Sequence, residues 1–203
     1  MDSKIETIIF DFGGVLVNLD KQATIDAFAG IGYDAAPYIG TYAQKGPFAP
    51  LELGQISAED FIAEIRHAVS SGVTQEQVCD AWNCMLTDIP DRRLQTLLDL
   101  KARYRLVLLS NTNDIHWIYS CRELFTYKGL RPEDYFERLY LSFECKMAKP
   151  DPAFFRYVID DLKLDPRTAL FVDDSSANCL SAAGEGLSVF HSEVSDDWLA
   201  LFK

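Results

Sequence analysis

Three short apolar runs that each end in polar side chains constrain the fold of this chain most strongly. They span residues 5–10, 105–110 and 169–172, and weaker runs lie at 139–141 and 187–190. Apolar runs of this length, bounded by turn residues, are typical of strands that are buried on both faces. We therefore predict a parallel sheet that is covered by helices on each side.

Helical patterns separate most of these strands, at residues 91–103, 151–161 and 177–184. Strands that alternate with helices indicate an α/β fold with a Rossmann-like, doubly wound parallel sheet. In an open sheet of this kind, ligands bind outside the carboxyl ends of the strands. The polar residues that end the three strong runs should therefore meet at one edge: Asp11, Ser110 with Asn111, and Asp173 with Asp174.

The stretch from residue 18 to residue 86 interrupts this alternation, since it shows helical periodicity but no convincing strand. Ser57 and Thr74 each precede an amphipathic pattern and are typical helix N-caps. Breakers at Gly46-Pro47 and at Pro50 separate these two helices from an earlier one near residues 22–29. The pattern predicts a small helical subdomain inserted between the first two strong strands.

The length of 203 residues allows one good core, or one core with a small inserted subdomain. We therefore predict a discontinuous core domain formed by residues 1–17 and 87–203. Residues 18–86 form the inserted helical cap in this interpretation. The sequence leaves open whether the protein is a monomer or a homodimer.

Composition narrows the classes of partner. A formal net charge of -12 repels a nucleic-acid backbone, so we expect no nucleic-acid binding, and a site for anionic substrates needs a local cation. The five cysteines are odd in number and scattered, which favours a reducing compartment. No stretch approaches the roughly 20 apolar residues of a membrane span. We expect a cytoplasmic protein without a membrane partner.

Three polar motifs at the predicted sheet edge are weak when each is taken alone. Asp11 followed by two glycines could be a strand cap with a glycine turn. Ser110 with Asn111 could be an N-cap of the next helix. Lys149-Pro150 could be a surface turn that opens a helix. Each of these structural interpretations competes with a functional one.

The adjacent carboxylates of Asp173 and Asp174 are the strongest single signal. Two like charges at the end of a strand repel each other unless a cation or hydrogen-bond donors compensate. Mg²⁺ is the natural compensator, since it takes oxygen ligands from one or two carboxylates together with substrate phosphate. The pair therefore indicates a magnesium site at the sheet edge.

Together and in this order, the four motifs resemble those of the haloacid dehalogenase superfamily, and the insert occupies the place of the helical first-type cap of its subfamily I. Within the superfamily, three stretches look most like the glucose-1-phosphate phosphatase branch, with kinship to the N-terminal domain of soluble epoxide hydrolases. They are FDFGGVL at 10–16, ELGQIS at 52–57 and LSNTN at 109–113.

The resemblance implies a nucleophile and a metal site. Asp11 would attack phosphorus in line and form an aspartyl phosphate, which water then hydrolyses. Asp11, the backbone carbonyl of Gly13 and Asp174 would bind Mg²⁺. Asp173 would support the site without binding the metal directly.

The resemblance also implies a phosphate-binding set. The Ser110 hydroxyl and the Asn111 backbone would hydrogen-bond the phosphoryl oxygens. Lys149 would offset the negative charge that nucleophile and phosphate share.

One position departs from the usual phosphatase pattern. Two residues after the nucleophile, phosphatases of this type carry a second Asp that acts as general acid and base, and this chain has Gly13 there. Loss of such a group removes roughly 10²- to 10⁴-fold of rate. The glucose-1-phosphate phosphatase-like branch tolerates the same absence. Asp20 on the following flap could reach the site, but the interpretation as a solvated loop carboxylate is favoured.

Several other side chains have both a functional and a structural interpretation. The aromatic residues Trp82, Tyr42 and Phe48 of the insert could line a pocket, although aromatic side chains in a small helical subdomain more often form its core. His116 follows the second motif and could approach the site. For His116 too, a structural role is the more common one.

Three hypotheses on function follow. The first is a magnesium-dependent phosphatase for a small phosphorylated metabolite, with sugar phosphates among the candidates. The second is a non-catalytic or very weakly active phosphate-binding regulatory domain, which Gly13 keeps open. The third is a 2-haloacid dehalogenase. It is disfavoured because that chemistry does not need a metal and so does not need the pair Asp173 and Asp174. It would also be expected to use an Arg near the start of the cap to bind halide and carboxylate, and no Arg precedes Arg66.

Overall fold

A single parallel sheet organises the protein. The computed structural model describes residues 5–69, 72–194 and 196–202. Within that part of the chain, five parallel strands pair in the order β3-β2-β1-β4-β5. They are β1 (Thr7–Phe10), β2 (Arg105–Ser110), β3 (Arg138–Leu141), β4 (Ala169–Asp173) and β5 (Ser188–His191). The predicted doubly wound α/β sheet is confirmed, and its strands lie within about two residues of the predicted ends.

Helices connect the strands and form the insert. They are α1 (Lys21–Gly30), α2 (Phe48–Glu52), α3 (Ala58–Ala68), α4 (Gln75–Asn83), α5 (Asp91–Lys101), α6 (Asp114–Tyr119), α7 (Pro132–Tyr135), α8 (Ser142–Cys145), α9 (Pro152–Leu162) and α10 (Ser176–Gly184). Helix α6 continues as a π-helical turn over Ser120–Leu124. Over the described residues, no helix combines the length and the apolar character needed to cross a membrane.

Both faces of the sheet are buried, which explains why its strands appear as continuous apolar runs. Alternate residues of β1 point to opposite sides, and Ile8 packs in one cluster with Leu97 of α5. Ile9 packs in a second cluster with Phe155 of α9. Burial of each such side chain contributes about 1.5–3 kcal/mol. The sheet is thus a rigid base for the residues that follow its strands.

The insert folds as four helices around its own aromatic cluster. Phe48 and Trp82 are fully buried there with ring centroids 4.7 Å apart, as expected for core residues. Capping boxes start α3 at Ser57 and α4 at Thr74, which confirms those two predicted helix starts. The predicted break at Pro50 is wrong, because this residue is the third of α2. Its missing N–H falls in the first turn, where no intrahelical partner exists.

Two chain segments connect the insert to the sheet, and they pair with each other. The Asn18 N–H donates to the Asp88 carbonyl at 2.9 Å, and the Thr87 N–H donates to the Asn18 carbonyl at 3.0 Å. The Asp20 N–H donates to the Met85 carbonyl at 2.8 Å. Entry to and exit from the insert are therefore held together by backbone hydrogen bonds.

Candidate active site

The polar residues that follow the strands come together as predicted. Asp11 follows β1, and its N–H donates to the Val172 carbonyl of β4 at 2.9 Å. Carboxylate oxygens of Asp11, Asp173 and Asp174 all lie within 4.8 Å of one another. Lys149, which precedes α9, reaches the same cluster. Strands that are distant in sequence thus place three carboxylates and one ammonium at a single edge.

Lys149 joins two of the carboxylates. Its Nζ lies 2.8 Å from Asp11 Oδ1 and 2.7 Å from Asp173 Oδ2, and its side chain is only 1% exposed. Burial lowers the pKa of Lys149, but the two carboxylates outweigh it, so that the pKa is raised overall. The ammonium group therefore stays charged and offsets part of the negative charge of the site.

Asp173 is enclosed by donors. Besides Lys149, it accepts hydrogen bonds from the Ser175 N–H at 2.8 Å and from Asn178 Nδ2 at 3.0 and 3.1 Å. Its side chain is fully buried. Because both oxygens of Asp173 accept hydrogen bonds, its carboxylate is held in place and in turn fixes the position of Lys149. Asn178 is a member of the site that the sequence did not single out.

Ser110 and Asn111 lie beside Lys149 at the end of β2. Asn111 Nδ2 donates to the Lys149 carbonyl at 2.7 Å, and the Lys149 N–H donates to Asn111 Oδ1 at 2.9 Å. The Asn111 side chain therefore positions the backbone of Lys149, a role that the sequence did not indicate. The Ser110 side chain is buried at the floor of the site.

The charges of the cluster suit a divalent cation. Burial raises the pKa of Asp11 well above its usual range, with Lys149 opposing this shift and Asp173 and Asp174 adding to it. Burial and then Asp173 raise the pKa of Asp174 to about 6. Three carboxylates face one ammonium, and the oxygen-only donor set is the one that Mg²⁺ prefers. Gly13, the predicted carbonyl ligand, lines the same cavity.

Gly14 gives Asp174 the space to approach this cluster. Its φ of +76° lies in the left-handed region, and a Cβ added there would lie 2.2 Å from Asp174 Oδ2. A side chain at residue 14 must therefore displace the carboxylate.

We expect Gly14→Ala to weaken Mg²⁺ binding by at least about tenfold, since a shift of a ligand costs on the order of 1.4 kcal/mol or more. Calorimetric titration with MgCl₂ measures this directly. Gly184→Ala is the matched control, because a Cβ at residue 184 meets nothing within 4 Å. Equal Mg²⁺ affinities for the two variants would contradict the assignment of Asp174 as a ligand.

The raised pKa of Asp174 predicts a pH dependence of metal binding. If Asp174 is a ligand, as the sequence motifs imply, Mg²⁺ competes with the proton of its carboxylate, so we expect affinity to rise from about pH 5 to about pH 7 with net proton release. Because this folded-state pKa exceeds that of the unfolded chain, the ion-free protein should also lose stability as the pH rises through about 4 to 6. Titrations in buffers of different ionisation enthalpy measure the proton release. An affinity that is flat over this range would contradict the prediction.

The cluster opens into a cavity that core and insert share. The insert contributes Leu19, Lys21, Tyr42, Gln44, Glu52 and Leu86 to its wall. The cavity volume is about 80 Å³, well below the roughly 300–1,000 Å³ of sites that hold organic ligands.

For some side chains the sequence allowed both a functional and a structural interpretation, and the structure shows where each of them lies. Tyr42 lines the cavity and is 52% exposed, whereas Trp82 lies in the core of the insert. His116 lines the cavity but stacks on Trp82 with ring centroids 4.3 Å apart, and burial lowers its pKa to about 4. Asp20 caps α1 by accepting the Ala23 N–H at 2.9 Å. His116 is therefore a neutral packing residue, and Asp20 has a structural role.

Sequence reasoning missed three further residues near the site. Buried Arg93 donates to the Leu16 carbonyl at 2.7 Å and so fixes the loop after the nucleophile. Lys21 and Glu52 line the cavity from the insert. No local pattern marks any of the three as functional. The ELGQIS stretch, which begins at Glu52, indicates a resemblance to one branch of the superfamily, but it does not mark Glu52 as a site residue.

A buried carboxylate after the first strand, a lysine bound to it and a helical insert over the site form the arrangement that the sequence motifs implied. The family model described as haloacid dehalogenase-like hydrolase matches residues 5–186. The chain belongs to this family.

Relatives in the family are similar over nearly the full length. A D-ribitol-5-phosphate phosphatase from Bacteroides thetaiotaomicron is 35% identical to this chain, and the match covers 96% of this chain and 95% of the relative. A haloacid dehalogenase family enzyme of the same organism, solved with magnesium and inorganic phosphate, is 41% identical with a TM-score of 0.92 over 98% of this chain and 100% of its own. A predicted hydrolase of the family from Porphyromonas gingivalis is 30% identical with a TM-score of 0.90, covering 98% and 96%.

Proposed function

We propose that this protein is a magnesium-dependent phosphatase that hydrolyses a small phosphate monoester through an aspartyl phosphate on Asp11. The observation that carries the proposal is the position of Asp11, whose carboxylate faces a capped cavity and lies 2.8 Å from the Lys149 ammonium. A relative that is a phosphatase and one that binds magnesium and inorganic phosphate support it.

The nucleophile and the metal ligands share one carboxylate cluster. Asp11, Asp174 and the Gly13 carbonyl would hold Mg²⁺, which supplies charge neutralisation to the phosphoryl group when it is bound. Asp11 attacks phosphorus as the bond from phosphorus to the ester oxygen breaks, and the alcohol leaves with a proton taken from water. A water molecule then attacks the aspartyl phosphate, which releases inorganic phosphate and restores the Asp11 carboxylate. The positive charge of Lys149 offsets the negative charge of Asp11 and the phosphoryl group, and Asp173 fixes the position of Lys149.

The phosphate-binding groups lie at the end of β2. The Ser110 hydroxyl and the Asn111 backbone N–H would donate to phosphoryl oxygens, as expected for preorganised donors at the carboxyl end of a strand. The Asn111 side chain keeps these donors in register with Lys149 through its two hydrogen bonds to the Lys149 backbone.

The substrate class follows from the insert and from the relatives. The cavity wall formed by the insert carries hydroxyl, amide and charged groups, which favours a hydroxylated leaving group such as a phosphorylated polyol or sugar. In this proposal residues 18–86 are the cap, and residues 1–17 and 87–203 are the core. The free thiols of all five cysteines support a reducing, cytoplasmic location.

The alternative function is a phosphate-binding domain with little or no turnover, and Gly13 favours it. Leu19 of the insert lies beside this glycine, since a Cβ at residue 13 would lie 3.4 Å from Leu19 Cδ1. Residue 13 itself therefore supplies no general acid.

A metabolite screen decides between the two functions. Purified protein is assayed for phosphate release from polyol phosphates, sugar phosphates and 2-phosphoglycolate, with and without Mg²⁺. We expect magnesium-dependent release that is fastest for a polyol or sugar phosphate. If no substrate releases phosphate above the rate without enzyme while inorganic phosphate still binds, the protein is a binding domain.

A further inference from the structure

Helix α2 of the insert ends at Glu52, which lines the cavity that Asp11 and Lys149 also line. The residue is half-buried. Within the part of the chain that the structure describes, no hydrogen bond or ion pair engages its carboxyl group. In contrast, Lys149 binds both Asp11 and Asp173. Glu52 thus presents an unused hydrogen-bonding group to the cavity.

The backbone of Glu52 is fixed to the loop that carries the phosphate-binding groups. The Ser142 hydroxyl lies 2.6 Å from the Glu52 carbonyl and 2.8 Å from the Thr112 carbonyl, and it accepts the Thr112 N–H at 2.9 Å. Thr112 directly follows Asn111. One buried serine therefore sets the distance between Glu52 and the site for the phosphoryl group.

A second contact holds the turn after Glu52 against α8. Lys146 Nζ donates to the Gly54 carbonyl. Gly54 has a φ of +56°, and a Cβ there would lie 2.1 Å from the Phe143 carbonyl oxygen. Only glycine permits this close approach of the two backbones. Contacts with the core segment from residue 142 to residue 146 therefore hold the backbone of Glu52 and of the turn that follows it.

In-line displacement places the leaving oxygen opposite the nucleophile. Asp11 lies on the sheet, so the leaving group extends toward the insert, where Glu52 lines the wall. Burial raises the pKa of Glu52 to about 8. At neutral pH its carboxyl group can both donate and accept a hydrogen bond, as pairing with a hydroxyl requires.

Other ionisable groups also face the cavity. They are Lys21 and Tyr42 on the insert side, and Asp11, His116, Lys149 and Asp174 on the core side. Lys21 Nζ already donates to the Thr41 carbonyl at 2.6 Å. His116 Nε2 lies 3.0 Å from the Trp82 carbonyl, and Lys149 is bound by two carboxylates. Asp11 and Asp174 belong to the carboxylate cluster, which leaves Glu52 and Tyr42. Of these two, Glu52 is the one whose backbone is held beside the phosphate-binding loop through Ser142, so it is the group placed to interact with the leaving group.

We propose that Glu52 is a specificity residue that binds a hydroxyl of the leaving group and so selects phosphate monoesters of polyhydroxylated alcohols. The inference rests on the proposed phosphatase function and adds the residue that determines the substrate. A site that hydrogen-bonds a substrate hydroxyl discriminates strongly against an analogue without it, because its own polar group is then buried unpaired.

The test compares three substrates in wild type and Glu52→Ala. They are D-ribitol 5-phosphate, pentyl phosphate, which lacks the hydroxyls, and p-nitrophenyl phosphate, which reports on the chemical step. We expect Glu52→Ala to lower kcat/KM for ribitol phosphate at least about tenfold, mainly through KM. The other two substrates should change by less than about threefold. Glu52→Gln, which keeps hydrogen bonding, should recover most of the loss.

Exposed Glu64 on α3 supplies the matched control Glu64→Gln, which should behave as wild type. An unchanged preference for ribitol phosphate over pentyl phosphate in Glu52→Ala overturns the inference. So does an equal loss for all three substrates, which indicates a structural role. These outcomes differ from failure of the proposed function, in which wild type itself releases phosphate from none of the three.

Discussion

Asp11→Asn should lower phosphate release by about 10⁴-fold or more. Removal of the nucleophile of a covalent mechanism costs up to roughly 10⁶-fold in enzymes where it has been measured, because the remaining groups have no bond-forming partner. The asparagine Oδ1 can still accept the Phe12 N–H, which donates to Asp11 Oδ1 at 2.6 Å. The fold and the loop after β1 should therefore persist, so that the loss is one of chemistry.

Two measurements make this result specific. Phosphate release gives the rate, and mass spectrometry of acid-quenched protein should detect one added phosphoryl group in wild type and none in Asp11→Asn. Asp20→Asn is the matched control, since Asp20 caps α1 and should leave turnover within a few-fold of wild type. If Asp11→Asn kept more than about 1% of the wild-type rate, Asp11 would not be the nucleophile.

The positions of the main site residues were predictable because they follow from local patterns and one rule of topology. The apolar runs before Asp11 and Asp173 identify buried strands from sequence alone. All strands of a parallel sheet end at the same edge, so residues that are distant in the chain had to meet there. The same locality explains the correct helix starts at Ser57 and Thr74, where side chain and backbone lie within three residues.

The remaining features depend on contacts that no local pattern encodes. The Asn111 side chain binds the backbone of Lys149, which is 38 residues away. The place of Glu52 follows from its contact with Ser142, 90 residues away. The break predicted at Pro50 was wrong because the effect of a proline depends on its position within the turn. Function at such positions is visible only once the fold brings their partners together.

The charge of the site connects its stability to its chemistry. The same carboxylates that bind a cation repel one another when it is absent, and Lys149 is the buried group that holds two of them together. Because this repulsion lowers the stability of the site, the rest of the fold must offset it. Removing the lysine should therefore affect both stability and turnover.

Lys149→Met should destabilise the ion-free protein by about 3–5 kcal/mol and lower turnover by roughly 10²- to 10³-fold. Methionine fills a similar volume but leaves Asp11 and Asp173 buried without their cation. Wild-type Lys149 has a raised folded-state pKa, so its stabilising contribution is fully present below about pH 10. The variant should instead be less stable at pH 8 than at pH 5, because its unpaired carboxylates can be neutralised by protons only at low pH.

Urea denaturation at pH 5 and pH 8, with and without Mg²⁺, measures the free energy of unfolding of wild type and of Lys149→Met. We expect Mg²⁺ to stabilise Lys149→Met more than wild type at pH 8, since the cation takes over part of the missing charge. Lys45→Met, at an exposed position of the insert, is the control for loss of a positive charge elsewhere. A Lys149→Met protein as stable as wild type at pH 8 without Mg²⁺ would show that the buried carboxylates do not depend on Lys149, and would remove the electrostatic basis for its role in turnover.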